Sequence, residues 1–176
     1  MKRSLKFISL FLIAVLATAF LSACGEDGVT VSVTYSLGGG TLSGSAPESF
    51  EKGDAPDFSK IVPKRENYDF VGWYTDISCT AKFRESDIKG DHVTLYAKWS
   101  AHRYKITYEL NGGMGDELPT EYNYGTSIRI SVLQPKRENY TFDGWYTDAE
   151  FKTLKTKISP TDVGDITLYA KWSQVE

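Results

Sequence analysis

The sequence predicts a mainly β protein, two small α+β modules in tandem behind a signal peptide, and three features carry that prediction. Val31–Ser100 and Tyr104–Ser173 align at an offset of about 72 residues, the mark of a tandem array. Pro63–Tyr68 recurs as Pro135–Tyr140, Gly72–Asp76 as Gly144–Asp148, and Thr94–Ser100 as Thr167–Ser173. Within each copy, runs of β-branched and aromatic residues alternate with polar ones, the period of a half-buried strand. Helix signals are poor, limited to short turns at Ser86–Lys89 and Ser159–Val163 where a serine precedes acidic residues.

The chain divides into residues 1–23, a signal peptide; 24–29, a tether; 30–100, module one; 101–103, a linker; and 104–173, module two. Lys2, Arg3 and Lys6 precede the almost wholly apolar Phe7–Phe20. About 14 apolar residues after a positive start read as a secretory signal, too short to be read first as a spanning helix. Leu21-Ser22-Ala23-Cys24 resembles a bacterial lipobox, in which the cysteine thiol takes a diacylglyceryl group and cleavage leaves Cys24 first. The alternative is an ordinary small-residue cleavage site before a free cysteine. Acyl chains, at about 0.8 kcal/mol per buried methylene, would hold the protein on a bilayer through Cys24, the expected membrane partner.

Removing Met1–Ala23 takes three of the 20 Lys+Arg and leaves 17 against 23 Asp+Glu, a net charge of −6. Such a surface repels phosphate backbones, so nucleic acid is not an expected partner. Once Cys24 is acylated, Cys79 has no partner for an internal disulfide. Its counterpart is Phe151 or a neighbour, which suggests a half-buried apolar slot; a reactive or intermolecular thiol is the other reading.

Taken in order, Val31–Leu37 and Tyr104–Leu110 are predicted strands, each ending at a glycine turn, Gly38-Gly39-Gly40 or Asn111-Gly112-Gly113. Tyr68–Tyr74 reads as a strand with a bulge at Gly72, and Ile128–Val132 as a further strand in the second copy. In the closing strand Val93–Trp99, matched by Ile166–Trp172, Val93, Leu95, Ala97 and Trp99 face the core while Thr94, Tyr96 and Lys98 face out. The predicted core aromatics are Tyr35, Tyr68, Phe70, Trp73 and Trp99, with Tyr108, Tyr140, Phe142, Trp145 and Trp172. Modules this small depend on such rings, each burying about 150–250 Å², or about 4–6 kcal/mol of gross transfer.

Tyr104–Gly113, Pro135–Tyr140, Phe142–Asp148 and Thr167–Trp172 together resemble the Listeria-Bacteroides repeat, the B repeat of internalin-type surface proteins. The resemblance covers nearly all of the chain after Cys24. It implies a compact β-grasp-like module, tandem use on secreted and cell-surface bacterial proteins, and no catalytic residues. Gly38 stands where the second copy has Asn111, and Asn67 and Asn139 stand where the family commonly has glycine. Asparagine tolerates positive φ, so these turns are expected to survive. Internalins also carry leucine-rich repeats; these are missing here, and roles belonging to them do not transfer.

The motifs of chemistry are thin. His92 and His102 have no twins in the other copy, which argues against a metal or acid–base role. Asp162-Val163-Gly164-Asp165 and the facing Asp87–Asp91 fit no calcium-loop spacing and read as acidic turns. No nucleophile elbow occurs, no catalytic residue or metal ligand is assigned, and no cofactor is expected. Tyr74, Tyr96, Tyr146 and Tyr169 fall on the face opposite the core and form a candidate ligand face, where rings beside Asp76 or Asp148 would stack on sugars. The plainer reading packs them under the long loops. The expected function is that of a non-catalytic, lipid-anchored envelope protein, membrane-anchored on the exported side, whose modules form an adhesive or protein-interaction surface. A carbohydrate-binding module, or a passive spacer or accessory subunit, are the alternatives.

Overall fold

The structure, a computed structural model, describes residues 28–176. The signal peptide, Leu21, Ser22, Ala23 and the lipidation at Cys24 lie outside the described residues. In the first module the strands are β1 (Thr30–Ser36), β2 (Ser49–Glu51), β3 (Tyr68–Tyr74) and β4 (His92–Ala101). In the second they are β5 (Arg103–Glu109), β6 (Glu121–Asn123), β7 (Ile128–Arg129), β8 (Tyr140–Tyr146), β9 (Lys157–Ile158) and β10 (Ile166–Gln174). Each module is built on one mixed four-stranded sheet, in the order β2-β1-β4-β3 or β6-β5-β10-β8, with its first and last strands parallel at the centre, and the second adds the two-stranded antiparallel pair β7-β9. Parallel neighbours need a long crossover, and the chain between β1 and β4 supplies it together with the two edge strands. The protein is mainly β as predicted, with 3-10 turns as the only helical pieces among the described residues, at Phe58–Lys60, Glu85–Asp87 and Ile130–Val132.

The long strands match the alternation closely, and the bulge predicted at Gly72 is present and recurs at Gly144. The β3–β4 register shifts between Phe70 and Gly72, where φ is 147°, and the β8–β10 register shifts beside Gly144, where φ is 138°. Asn67 and Asn139 occupy the left-handed region at φ 61° and 60°, as expected of the residues chosen for those turns.

Local expectations fail where short apolar pairs do not settle the period. Ile128–Val132 is a two-residue strand followed by a 3-10 turn, because the chain bends to bury Ile130 completely beside Ile158. The turn expected at Ser86–Lys89 is a 3-10 turn at Glu85–Asp87, with the Asp87 carboxylate accepting the Arg84 N–H at 2.8 Å. Ser159–Val163 is not helical: Asp162 N–H donates to Ser159 O, and the Asp162 carboxylate takes the Ser159 N–H and the Lys155 ammonium.

Two equivalent cores fill the modules. Val31, Val33, Phe58, Trp73, Val93, Leu95 and Ala97 form one; Ile106, Tyr122, Ile130, Trp145, Ile158, Leu168 and Ala170 form the other. Aromatic rings run through each in the same order. Tyr35, Trp73, Phe70 and Trp99 have successive centroids 5.3, 5.2 and 5.6 Å apart; Tyr108, Trp145, Phe142 and Trp172 repeat this at 5.0, 5.2 and 5.2 Å. Burial pushes the Tyr108 hydroxyl up to about 12, and it donates to Pro119 O at 2.9 Å.

All four indole N–H groups find loop carbonyls. Trp73 donates to Ile61 O and Trp145 to Leu133 O, at 2.9 and 2.8 Å; Trp99 donates to Leu37 O and Trp172 to Leu110 O, at 2.8 and 2.9 Å. The glycine turns fold over the second pair so closely that a Cβ on Gly40 or Gly113 would lie 2.4 or 2.3 Å from the indole Cζ2. Tyr68 and Tyr140, expected in the core, are instead half-buried outside it. Each begins a sheet-edge strand and lies under an arginine, Arg65 at 3.8 Å and Arg137 at 3.6 Å.

Of the three linker residues only His102 lies outside a strand, between β4 and β5. His102 N–H donates to Asn67 O at 3.0 Å, and its carbonyl accepts the Tyr124 N–H at 2.9 Å. Tyr124 meets Tyr68 edge-on at 5.6 Å, and the Tyr104 hydroxyl reaches Asn67 Oδ1 at 3.4 Å. The modules therefore share a built junction. Asn139 O accepts the Val175 N–H at 3.0 Å in the same way at the end of the second module.

Trp145 is the residue on which the second core turns, being 1% exposed and hydrogen-bonded. Trp145→Ala is expected to cost about 3–5 kcal/mol of that module's stability, and Trp145→Phe about 1–3 kcal/mol by orphaning Leu133 O, read by denaturant unfolding. Retention of the wild-type midpoint by Trp145→Ala would contradict this packing.

Candidate functional site: the outer face of the sheets

The four candidate tyrosines are two cross-strand pairs, Tyr74 opposite Tyr96 and Tyr146 opposite Tyr169. Their placement follows from strand alternation, because Trp73, Ala97, Trp145 and Ala170 next to them point inward. They are not equally available. Tyr74 is only 9% exposed, which corrects its assignment to an open ligand face. Lys98 Nζ lies 4.6 Å from the centre of its ring and is held there by donating to Cys79 O at 3.0 Å. Tyr146 is half-buried, with Lys171 Nζ 5.3 Å over it and Phe151 edge-on at 5.6 Å. Tyr96 and Tyr169 are half-buried on the central strands.

Asp76 and Asp148, considered as sugar partners, are committed elsewhere. The Asp148 carboxylate accepts the N–H groups of Lys152 and Thr153 at 2.9 and 2.8 Å. Asp76 accepts those of Thr80 and Ala81, at 3.0 and 2.8 Å, and the Thr80 hydroxyl as well. Each carboxylate thereby closes the loop beyond Tyr74 or Tyr146. Inside these loops Cys79 and Phe151 share a left-handed backbone, φ 51° and 58°. They are the counterparts suggested by alignment, and Cys79 is half-buried. The repeated Thr-Asp pair was the signal for this loop; its period matches neither strand nor helix.

In the second module the outer face opens into a cleft of about 370 Å³. Glu109 stands directly opposite Tyr169 on the neighbouring parallel strand, Lys171 and Asn111 lie one step further along the same face, and Arg137 and Phe151 close the sides. Arg137 is propped on Tyr140, and its guanidinium passes close to Gly112. Asn111 Nδ2 donates to Ala170 O at 2.8 Å, pinning one wall. Sequence reasoning singled out Tyr169 alone of these six as a ligand residue: Lys171 shares its strand, and the other four come from three separate segments.

The histidines and the acidic turn weighed in the sequence have partners of their own. His92 lies between the Ser32 and Thr94 hydroxyls, and His102 Nε2 is 3.3 Å from Asp69. In the acidic turn Asp162 pairs with Lys155 at 2.6 Å and Asp165 accepts the Lys105 N–H at 2.7 Å. Among the described residues, no three His, Cys, Asp or Glu side chains are grouped to hold a metal. No helix among them is long and apolar enough to cross a membrane.

The Lys152 N–H is the main cause holding the Asp148 carboxyl below its ordinary value of 3.8, and the Ala81 N–H does the same for Asp76. A depressed folded-state pKa stabilises above the unfolded value and is lost as pH falls through the folded one. Amide protection of Lys152 and Thr153 is therefore expected to persist at neutral pH and to collapse below 3.8. Asp148→Asn is expected to loosen the same amides at neutral pH; unchanged protection in that variant would contradict the assignment.

Comparison with known proteins agrees with this architecture. The model of the Listeria-Bacteroides repeat domain matches residues 32–98 and again 104–171. A Gly-rich protein of Evansella cellulosilytica, named as a membrane protein, is 36% identical over 115 residues, 64% of this chain and 13% of the relative. A second protein of that bacterium, also named as a membrane protein, is 38% identical over 111 residues, 62% of this chain and 16% of the relative. Internalin H of Listeria monocytogenes is 30% identical over 119 residues, 64% of this chain and 20% of the relative. The aligned part thus spans a fifth or less of each of these much longer relatives. No solved structure matches the chain. With both modules matched end to end, the chain belongs to the Listeria-Bacteroides repeat family, of which it carries two tandem copies.

Proposed function

We propose that this chain is a non-catalytic, lipid-anchored protein of the bacterial envelope, tethered through Cys24, whose two modules present an adhesive or protein-interaction surface. The observation that carries the proposal is two family modules with matching cores preceded in sequence by a basic start, the apolar run Phe7–Phe20 and Leu21-Ser22-Ala23-Cys24. The names of the relatives, two membrane proteins and an internalin, support an envelope location.

A binding role is favoured over a passive spacer by how the copies differ. Their tryptophans, indole bonds and aromatic chains correspond residue for residue, while their outer loops diverge. Ile77-Ser78-Cys79 in one copy is Ala149-Glu150-Phe151 in the other. Ile77 and Met114 project into solvent at 82% and 76% exposure, and neither has a large apolar counterpart in the other copy, where Ala149 and Thr41 stand. Two different surfaces on one frame suit contact with ligands better than they suit filling space. A carbohydrate-binding role is the second reading, favoured by the cleft beside Tyr169.

The test is made in the producing cell and with the purified mature chain. Fatty-acid label and membrane fractionation are expected for the wild type and lost in Cys24→Ala; label retained by the variant would overturn the anchor. Particles coated with the mature chain are expected to be retained on envelope or host-matrix material, and retention no greater than that of uncoated particles would overturn the adhesive surface.

A further inference from the structure

The two outer faces differ in one respect that bears on ligand chemistry. In the first module the row across the central strands is Ser36, Tyr96 and Tyr74; in the second it is Glu109, Tyr169 and Tyr146. Lys98 is spent on the Cys79 carbonyl, whereas Lys171 projects beside the cleft and Arg137 flanks it. Among the described residues neither Lys171 nor Arg137 forms an ion pair. The cleft therefore offers two cations outside any ion pair, a carboxylate, an amide and three aromatic residues, Phe151, Tyr169 and Trp172, around about 370 Å³.

That set suits a small saccharide better than an extended peptide. The volume lies at the lower end of the range of small-ligand sites. Sugar hydroxyls need acceptors and donors together, which Glu109 and Asn111 supply, and the C–H face of a sugar packs on an aromatic ring such as Tyr169. Two cations against one carboxylate leave a local charge of +1, so the favoured sugar carries an anion; the guanidinium edge of Arg137 matches a carboxylate in planar geometry. The net negative charge of the rest of the chain is screened beyond about 8 Å at physiological ionic strength and does not oppose short-range contact.

We propose that the cleft at Glu109, Asn111, Arg137, Phe151, Tyr169 and Lys171 is a binding site for a carboxylate-bearing sugar, one site per chain and confined to the second module. The sugar carboxylate lies between Arg137 and Lys171, and its ring lies against Tyr169. This rests on the surface-binding reading above and adds its ligand class.

The test titrates the mature two-module chain with oligogalacturonate, N-acetylmuramic acid and a neutral galacto-oligosaccharide, by calorimetry and by amide shifts. The two acidic sugars represent a polysaccharide source and a wall source of the same chemistry. Expected is saturation by at least one acidic sugar at one site per chain, weakening as salt is added, with none by the neutral sugar. Tyr169→Ala and Lys171→Gln are expected to weaken binding at least tenfold while Tyr96→Ala leaves it unchanged, each variant first shown to unfold like the wild type. Should Tyr169→Ala fail to fold, Lys171→Gln decides alone. Two equivalent sites, equal binding of the neutral sugar, undiminished binding by Lys171→Gln, or no response to either acidic sugar would each overturn the proposal. A chain that still adheres to envelope or matrix material while ignoring acidic sugars loses the cleft assignment and keeps the surface reading.

Discussion

Everything in each of these modules hangs from two indoles. A domain of this size buries too little surface to tolerate a loosely packed centre, so each tryptophan has to contribute area and order together. Trp73 and Trp145 do so from the sheet towards the 3-10 turn on its far side, capturing Ile61 O and Leu133 O. Trp99 and Trp172 do so near the end of the last strand, capturing Leu37 O and Leu110 O in the turn that leaves the first. A carbonyl buried in a loop without a partner would cost about 1–3 kcal/mol, so the indoles solve a polar problem as well as an apolar one. Glycine at positions 40 and 113 follows directly, since no side chain fits between turn and ring.

Once both central strands are pinned from inside, alternation dictates what faces outward. That face is where the copies part company. Identical lysines, Lys98 and Lys171, cover identical tyrosines, yet one lysine is tied to its loop and the other borders a cleft. Duplication of a stable frame followed by divergence of its outer loops yields two unlike surfaces at little cost to folding. The junction adds a fixed relation between them, with Tyr68 of one module set against Tyr124 of the next. Lys52 occupies the place of Tyr124 in the first module, so that contact is specific to the join.

The long strands were legible because one face of each is buried and the other is not, which writes itself into the sequence with period two. The bulges at Gly72 and Gly144 and the asparagine turns were legible for a similarly local reason, the cost of positive φ. The edge strands Ser49–Glu51 and Glu121–Asn123 were not, being three residues long and chosen by the neighbour they pair with. Ile128–Val132 misleads because spacing of two also suits an isoleucine pair straddling a bend. At the outer face the alternation pointed Tyr74 correctly away from Trp73 and still misjudged its exposure. Burial there comes from a lysine stem two residues further along another strand and from a loop closed by Asp76, neither of which has a periodic signature. The cleft was illegible because its walls meet only when β5, β10 and the loops after Leu133 and Tyr146 are folded together.

The central claim, that both modules are organised by hydrogen-bonded indoles, is tested most directly by ring N–H exchange of the four tryptophans in the intact chain. The account predicts four slowly exchanging indole protons, with Trp73 and Trp145, the two buried rings, the slower pair. Exchange of Trp99 or Trp172 at the rate of a solvent-exposed indole would mean that the glycine turns are not latched to the sheet, and would contradict it.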